Sequence, residues 1–193
     1  AFQSFNDNAL QAIKRKNMNN DQVSAVVKWA RENNFKTTAE LIFGLPYETK
    51  KSYLEGLEFL LQIKVDNIAS HNMIMLNGIE MNREAEKERF NVVTKYRPTH
   101  ASEYGIVDGD FVCEGNEIVE STAHASKDDF MDVRKISLIN YLVGMGYFKH
   151  VINFLVDQQE EIIPLCEYIM NPFGQDNPSK DYVKYVEDYV KAA

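Results

Sequence analysis

Ala39-Glu40-Leu41-Ile42-Phe43-Gly44-Leu45-Pro46-Tyr47-Glu48-Thr49 is the stretch on which the fold turns. A short apolar run, 39–43, is stopped by Gly44 and Pro46, which reads as a buried strand entering a tight loop. Thr49 is an N-cap type ahead of the stripe Tyr53, Leu57, Leu60 and Leu61, so a helix follows at once. Asp66 and Asn67 break that helix, and 68–76 is a second strand candidate, ended by Asn77 and Gly78. On the other side, Asp21 caps a helix with Val23, Val26, Val27 and Ala30 at helical spacing, ended by Asn33 and Asn34. Asn6 and Asp7 open a shorter helix with Leu10 and Ile13 on one face, followed by the basic run 14–16 and the polar break 17–20. Residues 1–5 read as the end of a strand. Strand, helices, strand, helix, strand is the pattern of a parallel α/β sheet.

The character changes after Gly78. Residues 80–89 are highly charged and predict a solvated helix. Residues 111–114 and 117–121 flank Gly115-Asn116, a dipeptide that predicts a hairpin turn. Ser126 and Asp129 form a capping-box start to a long helix carrying Phe130, Val133, Ile136, Ile139 and Leu142, with Gly144 and Gly146 at its end. Helical patterns continue past His150, are interrupted at Pro164 and Pro172, and resume near Ser179 with the stripe Tyr182, Tyr185, Val186, Tyr189 and Val190.

The chain has 193 residues, 29 acidic and 21 basic, and a formal net charge of −8. That length buries a real core, and apolar residues are plentiful throughout. The negative charge argues against sequence-independent nucleic-acid binding, which needs a basic footprint. No apolar run reaches the length of a membrane span. The two cysteines, Cys113 and Cys166, exclude a disulfide scaffold and any site needing three thiolates from this chain. They fit a reducing, cytoplasmic setting. A start at Ala1, already in strand-like sequence, suggests a piece of a longer protein.

Ligands of parallel α/β sheets collect at the carboxyl ends of the strands. Three such ends are Gln3-Ser4, 44–47 and 73–76. Gly44 would let backbone approach a ligand and Pro46 would stiffen the loop, or the two simply make a strand-to-helix turn. Glu40, inside an apolar run, is either a paired or ligand-bound carboxylate or a partly exposed edge residue. Arg15 is either a fork for a carboxylate or a solvated charge. His71 reads as a hydrogen-bonded group more than a base, and His100, His124 and His150 lack metal-ligand spacing with one another. There is no Ser-His-Asp signature, phosphate-binding glycine loop or zinc spacing.

Taken together, Gln3-Ser4-Phe5-Asn6-Asp7 with Leu10, Ile13 and Arg15 resembles the fourth-strand region of radical SAM enzymes. Residues 40–46 with Glu48-Thr49 resemble their fifth strand and its loop, and 66–76 their sixth strand. The resemblance is closest to the branch of oxygen-independent coproporphyrinogen oxidases and cobalamin-binding radical SAM proteins, and it is strong over residues 1–80. Weaker likeness to the tail of the cobalamin-associated group lies in Tyr96-Arg97, Tyr104-Gly105, Glu117-Ile118-Val119 and Asp132-Val133-Arg134.

The resemblance implies the second half of a partial (β/α)6 TIM-like barrel over 1–80, then a mostly helical α+β region with one hairpin over 81–193. It implies that Gln3, with Ser4 beside it, and Arg15 hold the ribose and carboxylate of S-adenosylmethionine. By the same resemblance Glu40 binds the ribose hydroxyls or a nearby polar group, the backbone at Ile74 meets the adenine, and Gly44 and Pro46 shape the adjoining loop. The family's C-x3-C-x2-C loop for a [4Fe–4S] cluster is absent here. The cluster, and cobalamin if the parent binds it, would belong to the missing N-terminal half, which becomes a partner along with a small-molecule substrate. The parent would be a radical SAM oxidoreductase or methyltransferase, inactive as this piece alone. An open half barrel further implies self-association, or coverage of its edge by the C-terminal helices. Two other readings stay open: a non-catalytic α/β interaction or regulatory domain, and a cluster-free enzyme using Glu40 and His71 as acid and base.

Overall fold

The computed structural model describes residues 2–99, 104–144 and 148–170, together with Asp188. The late tyrosine stripe, Pro172, Ser179, His100 and Gly146 lie outside the described residues. Helix α1 (Asp7–Ala12) is capped by the Asn6 side chain, and α2 (Asn20–Glu32) opens on a capping box. Its cap is Asn19 with Gln22 and not Asp21, because the Asn19 carboxamide accepts the Gln22 amide and the Gln22 side chain returns to Asn19. In β1 (Thr38–Phe43), Ala39, Leu41 and Phe43 are buried while Thr38 and Glu40 are exposed. The period of two puts one face on the core and leaves the other open. Thr49 and Ser52 form the capping box that launches α3 (Lys50–Gln62). β2 (Asn67–Asn72) then returns parallel to β1, with Thr38 beside Asn67 and Phe43 beside Asn72.

The expected first strand is reduced to a single parallel bridge from Gln3 to Leu41. Gln3 donates to the Glu40 carbonyl at 2.9 Å and accepts from the Ile42 amide at 2.8 Å. Its φ of 63° ends the extended run at once. Asp66 ties the starts of β1 and β2 together. It accepts from the Thr37 amide at 2.9 Å and the Thr37 hydroxyl at 3.0 Å, with Lys36 at 3.2 Å.

Beyond Gly78 come a helical turn (Glu80–Asn82) and α4 (Glu84–Arg89), mostly solvated as the charge pattern requires. β3 (Val93–Pro98) pairs antiparallel with β6 (Gly115–Ser121), and β4 (Tyr104–Val107) with β5 (Asp110–Cys113). The hairpin turn is therefore not at Gly115-Asn116, which lies inside β6 opposite Pro98 and Arg97. It is at Asp108-Gly109, whose φ values of 54° and 94° supply the left-handed pair that a tight two-residue hairpin needs. Ser126 and Asp129 cap α5 (Lys127–Val143) as expected, with Gly144 at its C-cap. α6 (Phe148–Asp157) and α7 (Ile163–Met170) follow. Pro164 does not interrupt a helix but stands in the first turn of α7, where its missing N–H costs nothing. The Glu58 carboxylate serves that turn instead, accepting from the Ile162 amide at 2.9 Å and the Ile163 amide at 2.7 Å.

Among the described residues the strands form small sheets and no closed barrel. An antiparallel bridge between Ile74 and Ile118 joins the extension of β2 to β6. Edge to edge the order runs Gln3, β1, β2, β6, β3. The C-terminal region thus meets the sheet with a strand as well as with helices. Phe130 of α5 packs on Phe43 with ring centroids 4.6 Å apart. One hydrophobic core runs from Ala9 to Cys166 and includes residues from both sides of position 80. No helix among the described residues is long and apolar enough to cross a membrane.

Candidate functional site

A cavity of ≈ 1240 Å³ opens at the carboxyl ends of β1 and β2. Gln3, Ile42 and Leu45 line it on one side, the run 70–74 on another, and 11–15 on a third. α4, β3 and α5 close it with Arg89, Phe90, Arg97, Val133, Arg134 and Ser137.

Of the seven residues singled out from the sequence, Gln3, Arg15 and Ile74 line this cavity. Ile74 has the most informative backbone. The Met75 amide donates to the Glu117 carbonyl at 2.8 Å and the Val119 amide to the Met73 carbonyl at 3.1 Å. Those two bonds flank the Ile74–Ile118 bridge, so Ile74 turns its own N–H and C=O away from β6. On that side β1 has already ended, because the Met73 amide meets the last β1 carbonyl, Phe43, at 2.8 Å. The edge of Ile74 therefore faces the crevice past the end of β1.

The other four do not line the cavity. Glu40 is exposed on the open face of β1. It shares that face with Ile42, and His71 stands beside Ile42 in register, yet no ion pair joins Glu40 to His71 among the described residues. Ser4 is buried, its hydroxyl donating to Glu48 and accepting from the Asn6 amide at 2.9 Å. Pro46 is buried in the loop. Gly44 has a φ of +99°, and a Cβ there would stand 2.8 Å from Phe130 Cζ. Ser4, Gly44 and Pro46 sit in the segments that carry the lining residues Gln3 and Leu45.

The buried carboxylate is not Glu40 but Glu48, eight residues on and 1% exposed. It accepts from the hydroxyls of Ser4 and Ser52. Burial pushes its pKa above the ordinary value, and those two hydroxyls pull it back down. Glu48 thereby ties the Gln3–Ser4 segment to the loop after β1 and to the start of α3. The sequence signal for it was an acid in Pro46-Tyr47-Glu48-Thr49, next to a helix cap and outside any apolar run. Tyr53 was also hidden in the α3 core stripe. Its phenol, pushed up to about 12 chiefly by burial, stands among the hydroxyls of Ser70 and Ser137 at the cavity wall. Among the described residues neither Tyr53 Oη nor Ser70 Oγ has a partner at hydrogen-bonding geometry. Arg89, Arg97 and Arg134 reach the cavity from elements that only tertiary packing brings there.

These residues suit S-adenosylmethionine in part. Arg15 offers a fork for a carboxylate, Gln3 an amide for hydroxyls, and Ile74 a backbone edge for a purine, although its carbonyl also accepts from the Leu76 amide at 3.2 Å. They do not suit an iron–sulfur cluster. Among the described residues no group of three or more His, Cys, Asp or Glu could hold a metal ion. Cys166 is buried, and burial pushes its thiol up to about 12, far from the thiolate that iron needs.

No protein-family model matches the chain. It is 25% identical over 157 residues to the cobalamin-dependent radical SAM methyltransferase TokK of Streptomyces tokunonensis, covering 80% of this chain and 23% of that protein. It is 26% identical over 163 residues to the 2-(S-pantetheinyl)-carbapenam-3-carboxylate methyltransferase of Streptantibioticus cattleyicolor, covering 84% of this chain and 24% of that one. The chain spans about a quarter of the length of the curated relatives it matches. A match of 157 residues is too long for residues 1–80 alone, so the likeness extends into the C-terminal region. The chain is distantly similar to radical SAM methyltransferases.

Proposed function

We propose that this chain forms the S-adenosylmethionine-facing wall of a radical SAM enzyme, with the cluster thiolates, and cobalamin where the parent uses it, held by polypeptide outside this sequence. The observation that carries the reading is the convergence of Gln3, Arg15 and Ile74 on one cavity at the strand ends. The distant likeness to a cobalamin-dependent radical SAM methyltransferase supports it. In this reading Arg15 holds the carboxylate of S-adenosylmethionine through paired N–H donors and Gln3 binds its ribose. The Ile74 backbone edge takes the adenine. Ser4, Glu48 and Ser52 keep the Gln3 segment at its distance from the loop after β1. When bound, S-adenosylmethionine supplies radical and methyl-transfer chemistry to a small-molecule substrate.

Calorimetric titration of the chain with S-adenosylmethionine tests this. Arg15→Ala should weaken binding about tenfold, the loss of one charge-assisted pair. A folded chain that binds no S-adenosylmethionine, or binds it equally well without Arg15, overturns the reading.

A non-catalytic interaction domain is the second reading, favoured by the β4–β5 hairpin. Register puts Tyr104, Ile106, Phe111 and Cys113 on one face, and the first three are 74%, 76% and 71% exposed. Apolar exposure of that kind marks a contact surface. Sedimentation would show concentration-dependent self-association, lost in Ile106→Asp, if the hairpin joins copies of this chain.

A further inference from the structure

We propose that the cavity holds a neutral subsite on β2, formed by the open backbone edge at Ser70 and Asn72 together with the hydroxyls of Tyr53, Ser70 and Ser137, and that the ligand group bound there is an amide. The subsite uses none of Gln3, Arg15 and Ile74, and it does not depend on the S-adenosylmethionine reading.

The ladder between β1 and β2 fixes which way β2 offers its backbone. The Asn67 amide donates to the Thr37 carbonyl at 3.0 Å, and the Met73 amide to the Phe43 carbonyl at 2.8 Å. Backbone direction alternates along a strand, so the odd positions of β2 face β1. Ser70 and Asn72 therefore turn their N–H and C=O to the opposite edge. Among the described residues no strand pairs with that edge before the bridge at Ile74. Both residues line the cavity. An open strand edge presents a donor and an acceptor side by side, ready to pair with another amide.

Ser70 also joins this edge to a cluster of hydroxyls. It stands beside Leu41 in register, as Asn72 stands beside Phe43, and so shares the buried face of β1. On that face Tyr53 of α3 meets Phe43 edge-on, with ring centroids 5.2 Å apart. The Ser70 and Ser137 hydroxyls are close enough to the Tyr53 phenol to pull its pKa down against burial. Three elements, β2, α3 and α5, thus bring hydroxyls together, and all three residues line the cavity. Tyr53 is 2% exposed, yet among the described residues neither its Oη nor Ser70 Oγ has a partner at hydrogen-bonding geometry. Buried hydroxyls left unpaired are rare and destabilising. A ligand group that supplies the missing bonds accounts for them.

The chemistry of the cluster narrows the class. The phenol stays protonated up to about 12, so it is a neutral donor, and the charge of Glu48 acts on it in the direction that disfavours a further anion. What fits is a neutral group that both donates and accepts. An alcohol would meet the hydroxyls alone. A secondary amide meets both sets: its carbonyl accepts from a hydroxyl or from the strand N–H, and its N–H donates to the strand carbonyl.

N-acetylglycine N-methylamide serves as the probe, with N-acetylglycine methyl ester as the control that lacks the second N–H. Each is titrated into the chain and followed by amide NMR spectra, with and without saturating S-adenosylhomocysteine. The expected result is saturable shifts at the Ser70 and Asn72 amides in both conditions, weaker with the ester. Tyr53→Phe should weaken binding about three- to tenfold, the loss of one neutral hydrogen bond, and Ser137→Ala on a different helix should act in the same direction. Tyr53→Phe should also leave the thermal melt of the empty chain unchanged or higher, because it removes an unpaired buried group, whereas a hydroxyl that only fastens α3 to β2 would be missed. No shift at Ser70 and Asn72, equal binding of amide and ester, indifference to both variants, or a lower melt of empty Tyr53→Phe overturns the subsite. Displacement by S-adenosylhomocysteine overturns it too, by assigning the edge to the cofactor. Tyr53-dependent amide binding by a chain that ignores S-adenosylhomocysteine leaves the subsite standing and removes the S-adenosylmethionine reading instead.

Discussion

Gly44→Ala should destabilise the chain more than any other exchange of a glycine for alanine in the described residues. Two costs coincide there. The backbone sits at a φ of +99°, where an L-residue costs about 1–3 kcal/mol. The new methyl would also stand 2.8 Å from Phe130 Cζ and 3.1 Å from Cε1, with Met73 Cβ at 3.4 Å behind it. A ring tip at a free surface would swing aside. Phe130 is only 4% exposed and lies against Phe43 at 4.6 Å, so it yields a few tenths of an ångström and then strains its neighbours. Overpacking of this sort costs about 1–3 kcal/mol. The sum is about 3 kcal/mol, which for a chain of this size lowers Tm by about 6–12 °C. Urea unfolding followed by circular dichroism measures it. Phe130→Leu, which removes the clashing atom at a cost of about 1–2 kcal/mol, separates the two terms. The double variant should be less destabilised than the sum of the singles by about 1 kcal/mol. A Gly44→Ala cost below about 0.5 kcal/mol, or strict additivity with Phe130→Leu, would refute the close approach of α5 to the loop after β1.

Glu48→Gln should be neutral or stabilising at neutral pH, since the carboxamide can still accept from one serine hydroxyl and donate to the other. Because burial raises the native pKa of Glu48, the folded state holds its proton above pH 4.5 while the unfolded state has lost it, and stability falls as pH rises through that window. Denaturation curves from pH 4 to 8 should therefore be flatter for Glu48→Gln, and an unchanged slope would count against a buried carboxylate. Asp66 has the opposite sign. Burial alone would raise its pKa, but the Thr37 amide, Lys36, the Thr37 hydroxyl and Lys149 together hold it below the ordinary value of 3.8. Its contribution is present above that pH and disappears as pH falls through the depressed native value. Asp66→Asn should cost about 1–2 kcal/mol at pH 7 and nothing once Asp66 is protonated, as thermal melts at the two pH values would show. A thiol reagent should react promptly with the partly exposed Cys113 in the native chain and reach the buried Cys166 only on unfolding, and two fast thiols would contradict the packing of α7.

Much of the local structure was legible along the chain because its causes are local. The caps at Asn6, Thr49 and Ser126 form within three residues of themselves, and the alternation of Ala39, Leu41 and Phe43 marks the buried face of β1 without reference to any partner. Gly115-Asn116 shows the limit. It has the right chemistry for a tight turn, but Asp108-Gly109 takes the hairpin, and β3, from earlier in the chain, pairs with the strand that Gly115-Asn116 begins.

The site divides in the same way. The strand pattern pointed to strand ends as the place for a ligand, while it was the resemblance to radical SAM enzymes that named Gln3, Arg15 and Ile74. Counting thiols also showed that two cysteines cannot supply the three thiolates of a C-x3-C-x2-C cluster loop. Tertiary structure alone decided which acid is buried, because Glu48 meets Ser4 across 44 positions of chain while Glu40 faces outward. It alone brought Arg89, Arg97 and Arg134 to the cavity, through the bridge of Ile74 to Ile118 and the packing of Phe130 on Phe43. Those contacts join residues 44 and 87 positions apart, and no local propensity encodes a meeting at such separation.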